Sequence, residues 1–515
     1  MQQLTLEHLE AVALGHGDVR LSDSDLEAAR KAHRFLLQRI ESRQRIYGVT
    51  TGYGPLASTY VSPEQSALLQ QNLVYHLCSG VGEPLAPSQV RALMVARLAS
   101  LLRGHSGVSP LLLERLVLWL KEDVVAEIPA RGTVGASGDL TPLAHLARAM
   151  SGSGRVSLQG SGWIPSEEAH RRLGISPLQL EHKDAISLVN GTSVTVGIAA
   201  LNAMQAQRAV KLSALLVLLY AELLNGHREA FHPRIGAIRP HPGQQQLHGW
   251  LWRLSEDSAA LKPWRAHSLP DMPCGLALNR DLPQDAYTLR CAPQALGAVW
   301  DVCRQHADTV ACELDAVSDN PLLFAEDEMI LHGGNFFGQH LAFASDHLNN
   351  AVIQMALYSE RRIARITDPQ RNNNLPAFMQ PRDTGLHSGF MGAQVSATAL
   401  VAELRTHAMP ASIQSIPTNA DNQDIVPLGT VAARRASTSL EQLYQVLAIE
   451  TLVLAQAVDI RGDATLSEAS RKLHRWAREH AAPLLDDRPL AEEIDTLSHA
   501  LSHPTSVKPL MALFD

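Results

Sequence analysis

The feature that most limits how this chain can fold is the stretch from Val431 to Arg461, which contains no glycine or proline. Within it Leu440, Leu443, Leu447, Leu454 and Val458 recur at helical spacing, so one long helix with an apolar stripe is expected. Leu341, Leu348, Val352 and Met355 form a second stripe. A third long segment opens at Pro293, a residue suited to a first helical turn, and stops near Ser318-Asp319-Asn320-Pro321. Long helices with apolar faces must bury them against one another, and a bundle does this most economically. Strand signals are few, and Gly154 to Pro165 reads as a short hairpin. The expected class is all-α: a long central antiparallel helix bundle with a smaller mixed N-terminal region. The expected regions are 1–195, 196–465 and a C-terminal helical segment, 466–515.

Composition narrows the function classes. A formal charge of −8 gives no basic footprint, so a nucleic-acid partner is not expected. The 5 cysteines, Cys78, Cys274, Cys291, Cys303 and Cys312, are odd in number and contain no CxxC pair, which argues against a disulfide framework or structural zinc. The 23 histidines include no HExxH and no set spaced as ligands, so no metal is expected. No secretory signal opens the chain. The longest apolar run, Leu212 to Leu224, is too short to cross a bilayer and contains Glu222. A soluble cytoplasmic protein, without a membrane partner, is the expectation.

Glycine- and proline-rich or polar stretches interrupt the helices near 48–58, 130–142, 225–245, 262–288, 331–340 and 366–390, and loops on rigid scaffolds often carry chemistry. The segment Arg131 to His145, RGTVGASGDLTPLAH, is the most informative. In Ala136-Ser137-Gly138 the amide nitrogen of Gly138 can attack the carbonyl carbon of Ala136 and close a five-membered ring. Loss of water there, and of the Ser137 hydroxyl, leaves an imidazolone bearing an exocyclic methylidene. Gly138 lacks a Cβ, so its nitrogen can approach a carbonyl two residues back in a compressed turn. Gly135 and Ala136 keep that approach uncrowded. Pro142 behind Thr141 suggests a capped helix start whose positive end faces the ring. A plain loop before a helix would also contain such small residues, and Ala-Ser-Gly alone carries no information. The pattern does not fit the GxSxG of a serine hydrolase.

GTVGASGDLTPLAHLA resembles the signature of the histidine, phenylalanine and tyrosine ammonia-lyase and aminomutase family. Further stations follow in the family's order: YGVTTGYG at 47–54, LVNGTS at 188–193, RPHPGQ at 239–244, QDAYTLRCAPQ at 284–294, SDNP at 318–321, GGNF at 333–336, SERRIA at 359–364, GFMGAQV at 389–395 and Asn422-Gln423-Asp424. The resemblance implies an enzyme that eliminates ammonia from an aromatic amino acid. Its prosthetic group would be a 4-methylidene-imidazole-5-one made from Ala136, Ser137 and Gly138. That electrophile meets a need the ordinary side chains cannot, because the β-proton is barely acidic and the amine leaves poorly. A homotetramer, with each active site lined by more than one subunit, is also implied.

The same resemblance assigns roles residue by residue. Tyr47, beside Gly48, Gly52 and Gly54, matches the loop tyrosine that takes the β-proton, and Tyr53 is read as packing. Arg290 resembles the clamp for the substrate carboxylate, for which a planar guanidinium is suited. Tyr287 lies three residues earlier, on the same side of a helical turn, and matches a tyrosine supporting the reaction. Asn190 matches a residue hydrogen-bonded to the ring oxygen. Leu140, Asn335, Phe337, Asn422 and Gln423 correspond to substrate-pocket positions. Each of these alone would be read as packing, capping or a surface pair; their joint order tips the reading.

The pair His76-Leu77 resembles that of the tyrosine-specific group, where histidine-acting relatives tend to show Ser-His and phenylalanine-acting ones Phe-Leu. An imidazole can hydrogen-bond a phenol, and phenylalanine would leave it partly unpaired. The bland alternative is that His76 ends its helix by bonding a neighbouring carbonyl. Gln423 stands where histidine-acting relatives carry glutamate. Asp315, His387 and Phe337 depart from common family residues. The expected reaction is tyrosine to trans-para-coumarate and ammonia. Tyrosine 2,3-aminomutase and phenylalanine ammonia-lyase are the alternatives, histidine ammonia-lyase a more distant one, and a helical scaffold without catalysis the reading from another class.

Overall fold

A computed structural model describes residues 4–264, 284–383 and 385–515. Cys274 and most of the 262–288 stretch lie outside these. Helix takes up 59% of the chain, and strands appear only as short pairs, so the all-α expectation holds. The three predicted long helices are Gly429–Arg461, Gln339–Ile366 and Ala292–Leu314; a fourth, Ser193–Leu223, is almost entirely buried, with its longest unbroken apolar run in its last third. The predicted hairpin is there as Arg155–Leu158 paired antiparallel with Trp163–Pro165. It is widened to three strands by Val124–Ala126.

Two compact units divide the chain, each made of three separated stretches. One comprises 1–204, 305–347 and 410–437; the other comprises 205–304, 348–409 and 438–515. This differs from a linear division at 195 and 465. Four of the breaks between stretches fall inside the four long helices, so helix ends do not mark unit boundaries.

The second unit is the helix bundle. Leu440, Leu443, Leu447, Leu454 and Val458 are all within 2% exposure and pack with Leu348, Val352 and Met355 and with Leu212–Leu223 in one core. Each such side chain contributes roughly 1.5–3 kcal/mol of burial. Arg362, from the SERRIA station, makes a two-point ion pair with Glu450, at 2.5 and 2.8 Å, with both side chains 1% exposed. That arginine is structural. By length and hydropathy Asp184–Leu223 and Gly429–Arg461 could span a membrane, but the relevant windows are 100% and 83% buried within the protein. Reading single apolar runs missed this, because the helices extend well past them.

The first unit carries the short strands and a compact helical core. Helices Ser66–Leu77, Leu140–Met150 and Asp184–Val189 pack on one another. The helix after the ring loop begins at Leu140 with Asp139 as its cap residue, and no side chain caps it. The expected Thr141 cap is therefore not formed. A hairpin of Leu322–Phe324 and Met329–Leu331 contributes Leu323 to a small separate core with Phe35, Leu36, Ile40, Ile46 and Val49.

A candidate active site around the Ala136-Ser137-Gly138 loop

The packing of those three helices sets the site. The first ends in His76-Leu77, the second begins directly after the ring loop, and the third runs into Asn190. Gly138 has φ +71°, and a Cβ there would lie 2.4 Å from the Gly191 carbonyl, so only glycine fits. The Asp139 N–H donates to that carbonyl at 2.8 Å. On the other flank the Leu428 N–H donates to the Val134 carbonyl at 3.0 Å, and Pro427 packs against Gly135. Held from both flanks, the loop pairs the backbones of Ala136 and Gly138 across Ser137. The Ser137 hydroxyl oxygen accepts from Gln423 Nε2 at 3.2 Å, and Gln423 is itself oriented by the Thr418 hydroxyl at 2.7 Å. A compressed Ala-Ser-Gly turn with no room for a Cβ, and a donor already on the oxygen that must leave, fits the methylidene-imidazolone that the family resemblance implies.

Behind the loop lies a buried polar framework that inspection of the sequence did not single out. Asp139, 1% exposed, accepts from the Thr195 N–H and hydroxyl at 2.8 Å and from the Thr430 hydroxyl at 2.6 Å. Burial pushes its carboxyl up, and those donors oppose the shift. Arg97 is fully buried without a directly bonded carboxylate. Its guanidinium donates to the carbonyls of Ser318 at 2.8 Å, Asn190 at 3.4 Å and Ser187. Burial pulls it down to about 10. Lys183 and Asp319, both 0% exposed, pair at 2.7 Å, and Lys183 also donates to Ser187. Buried ions of this kind cost desolvation unless fully hydrogen-bonded, and here they brace the Ser187–Gly191 turn. Their one legible sign was charge inside otherwise apolar helices and beside the stations.

Tyr47 sits in a loop knit by its own threonines. The Thr50 hydroxyl accepts from the Ile46 N–H at 2.8 Å, and the Thr51 hydroxyl accepts from the Gly48 N–H at 3.1 Å. The Gly54 N–H donates to the Tyr47 phenol oxygen at 2.8 Å, which fixes the ring's direction. Tyr53 meets Tyr47 edge-on at 6.3 Å and accepts from Gln70 at 3.0 Å; burial pushes its phenol up, which suits the packing role read for it. Gln70, 0% exposed, also donates to the Gly48 carbonyl and accepts from the Ile186 N–H, tying the loop to the helix core. A glutamine inside an apolar helix was the signal for it.

One cavity of about 1160 Å³ is lined by Tyr47, His76, Leu77, Ala136, Ser137, Gly138, Leu140, Asn190, Phe337, Asn422 and Gln423. Asn335 is not among its lining residues and donates to the Val317 carbonyl, whereas its neighbour Phe336 does line the cavity. His76 Nδ1 lies 3.0 Å from the Asn72 carbonyl and donates to it, so in the neutral ring Nε2 is the accepting nitrogen. The helix-ending bond of the bland alternative is thus present in a side chain that also lines the cavity. Asn190 donates from Nδ2 to the Asn320 carbonyl at 2.9 Å, and its buried Oδ1 has no protein partner among the described residues.

Tyr287 and Arg290 belong to the second unit and do not line this cavity. They form one helical turn, as predicted, with the guanidinium 4.5 Å from the tyrosine ring centre. Tyr287 is 67% exposed, and Arg290 lines a separate cavity of about 790 Å³ with His227, Trp252, Gln284 and Asp285. Among the described residues, no lysine or arginine lines the first cavity. Of the departures, Asp315 pairs with Arg103, and His387 lies near Asp486 and Asp487. Among the described residues no cluster of three or more His, Cys, Asp or Glu could hold a metal ion, and the four described cysteines are free.

Residues 4–479 match the family model for aromatic amino acid lyases. The chain is 42% identical to a tyrosine ammonia-lyase of Cereibacter sphaeroides, over 98% of this chain and 97% of that protein. It is 39% identical to a histidine ammonia-lyase of Gloeobacter violaceus, over 96% and 93%. Among solved structures, a tyrosine aminomutase from Streptomyces globisporus superposes with a TM-score of 0.92 at 35% identity, covering 99% of this chain and 97% of that one. The chain therefore belongs to the aromatic amino acid lyase family and is a carbon–nitrogen lyase.

Proposed function

We propose that this protein is a tyrosine ammonia-lyase, eliminating ammonia from L-tyrosine to give trans-para-coumarate. The observation that carries this reading is the convergence of His76-Leu77, Tyr47 and the Ala136-Ser137-Gly138 loop on one cavity. The methylidene-imidazolone formed from that loop supplies the electrophile that makes the amine a viable leaving group. In the neutral ring His76 Nε2, the nitrogen not engaged with Asn72, accepts from the substrate's phenol hydroxyl, and Leu77 packs on the ring. Tyr47 acts as the phenolate and takes the β-proton on its oxygen, becoming the phenol, and the Gly54 N–H already donates to that oxygen. Asn190 and Gln423 orient the reacting end, and Leu140, Phe337 and Asn422 shape the walls. Asn335 acts through the backbone it holds, since it bonds the Val317 carbonyl.

The carboxylate needs a cation, and none stands among the described residues that line the cavity. In this reading Arg290, with Tyr287 stacked on it, reaches the site from another copy of the chain in a homotetramer. The exposure of Tyr287 supports this. The likeness to a tyrosine aminomutase favours one second reading, tyrosine 2,3-aminomutase, which returns ammonia to the β-carbon.

Tyrosine, phenylalanine and histidine offered side by side, with products separated, test both. Coumarate from tyrosine as the main product is expected. β-Tyrosine as the main product overturns the lyase reading, and faster turnover of histidine overturns the substrate. In His76→Phe the preference should move at least about tenfold toward phenylalanine, and unchanged selectivity would remove His76 as the reader of the phenol.

A further inference from the structure

The loop that carries Tyr47 satisfies three consecutive backbone N–H groups with side chains. Those of Ile46 and Gly48 go to Thr50 and Thr51 within the loop itself. That of Tyr47 goes outside the loop, to His332 Nε2 at 3.3 Å. His332 follows the hairpin strand Met329–Leu331 directly. The same hairpin supplies Leu323, with Ile330 beside it, to the small core that holds Ile46 and Val49. Both flanks of Tyr47 are thus seated on the hairpin by apolar packing, and its own N–H is seated by one imidazole.

The segment is also tied to the reacting end of the cavity. The Gly333 N–H, next to His332, donates to Asn320 Oδ1 at 2.8 Å, and the Asn320 carbonyl accepts from Asn190 Nδ2 at 2.9 Å. Asn320 lines the cavity; His332 does not. Accepting at Nε2 requires a neutral ring with its proton on Nδ1. Burial first, then the positive charges of Arg45 and of Lys183, the latter paired with Asp319, hold His332 below the ordinary imidazole range and favour that state.

We infer that His332 is a positioning residue for the proton-accepting step: it fixes the backbone of Tyr47 relative to Asn190 without touching substrate. This rests on the reading of Tyr47 as the base. A displacement of the phenol by about 1 Å is enough to cost roughly a hundredfold in rate, so a single lost anchor should appear in turnover and not in affinity.

The test compares wild type, His332→Ala, His332→Gln and Tyr47→Phe with tyrosine as substrate. The intact mass of each is measured to confirm loss of two waters from the ring loop. His332→Ala should lose roughly ten- to hundredfold in kcat, with KM changed little and the ring complete. His332→Gln, whose amide oxygen can accept at a similar reach, should recover most of that loss. Wild-type kcat in His332→Ala, a loss confined to KM, an incomplete ring, or a glutamine variant no better than alanine would each overturn the inference. Undiminished turnover in Tyr47→Phe would instead overturn the assignment of the base.

Discussion

Gly138 shows most sharply how one residue type is demanded by both conformation and chemistry. Its positive φ and the 2.4 Å approach of Gly191 leave no place for a Cβ, and in the proposed ring closure its nitrogen is the one that reaches the Ala136 carbonyl. Gly138→Ala is therefore expected to fold with an open loop. Its intact mass should equal that of the encoded chain, its near-ultraviolet ring absorbance should be absent, and turnover should be nearly abolished. Ser137→Ala, which removes the leaving hydroxyl, should behave the same way while keeping the helical signal of the wild type. A full two-water mass loss in either variant would refute the proposed ring. Gln423 donates to that hydroxyl, so Gln423→Leu should slow ring formation, read as a mixture of closed and open chains by mass.

Among the elements, the bundle helices hold together by apolar stripes punctuated by a few buried charges. Glu450→Ala would leave the Arg362 guanidinium, 1% exposed, without its carboxylate. Breaking one partner of a buried pair costs about 3–5 kcal/mol. The expected outcome is a lowered thermal midpoint and earlier loss of helicity in denaturant, with the ring still formed in the molecules that fold. An unchanged midpoint would mean that water or another group takes over the arginine. Helix Ser66–Leu77 plays a different part: its interior Gln70 holds the Tyr47 loop and its last turn presents His76. A substitution such as Gln70→Leu is expected to lower kcat by displacing the loop, and a variant with wild-type kcat would show that the threonines suffice.

For the molecule as a whole, the proposed homotetramer can be tested by asking whether one copy of the chain completes another's site. If Arg290 comes from a neighbouring copy, Tyr47→Phe and Arg290→Ala chains will each be nearly inactive alone and will complement when co-assembled. Random mixing leaves about a quarter of the sites with both residues intact. Recovery of activity to that order after joint refolding or co-expression supports sharing between subunits. No recovery would mean that each site draws both residues from one chain.

Much of this was legible in residue order. The long helices followed from stripes such as Leu440 to Val458, because helical periodicity is local information. The candidate ring loop followed from the ordered family stations around Ala136-Ser137-Gly138, since those three residues alone carry no information. What local patterns could not reveal were contacts between distant stretches. Nothing in the local pattern sets Asp139, Arg97 and Lys183 apart, and folding buries them against Thr195, Ser318 and Asp319. The units could not be cut from the sequence because each gathers three separated stretches. Asn335, expected at the pocket, instead bonds the Val317 carbonyl while its neighbour Phe336 lines the cavity beside Phe337, because a one-residue difference in a turn decides which side chain faces a cavity. The sequence by itself determined the class of fold, the family and the atoms that can condense into a ring. Only tertiary structure decided which side chains surround that loop, since burial and hydrogen-bond partners are properties of the closed chain.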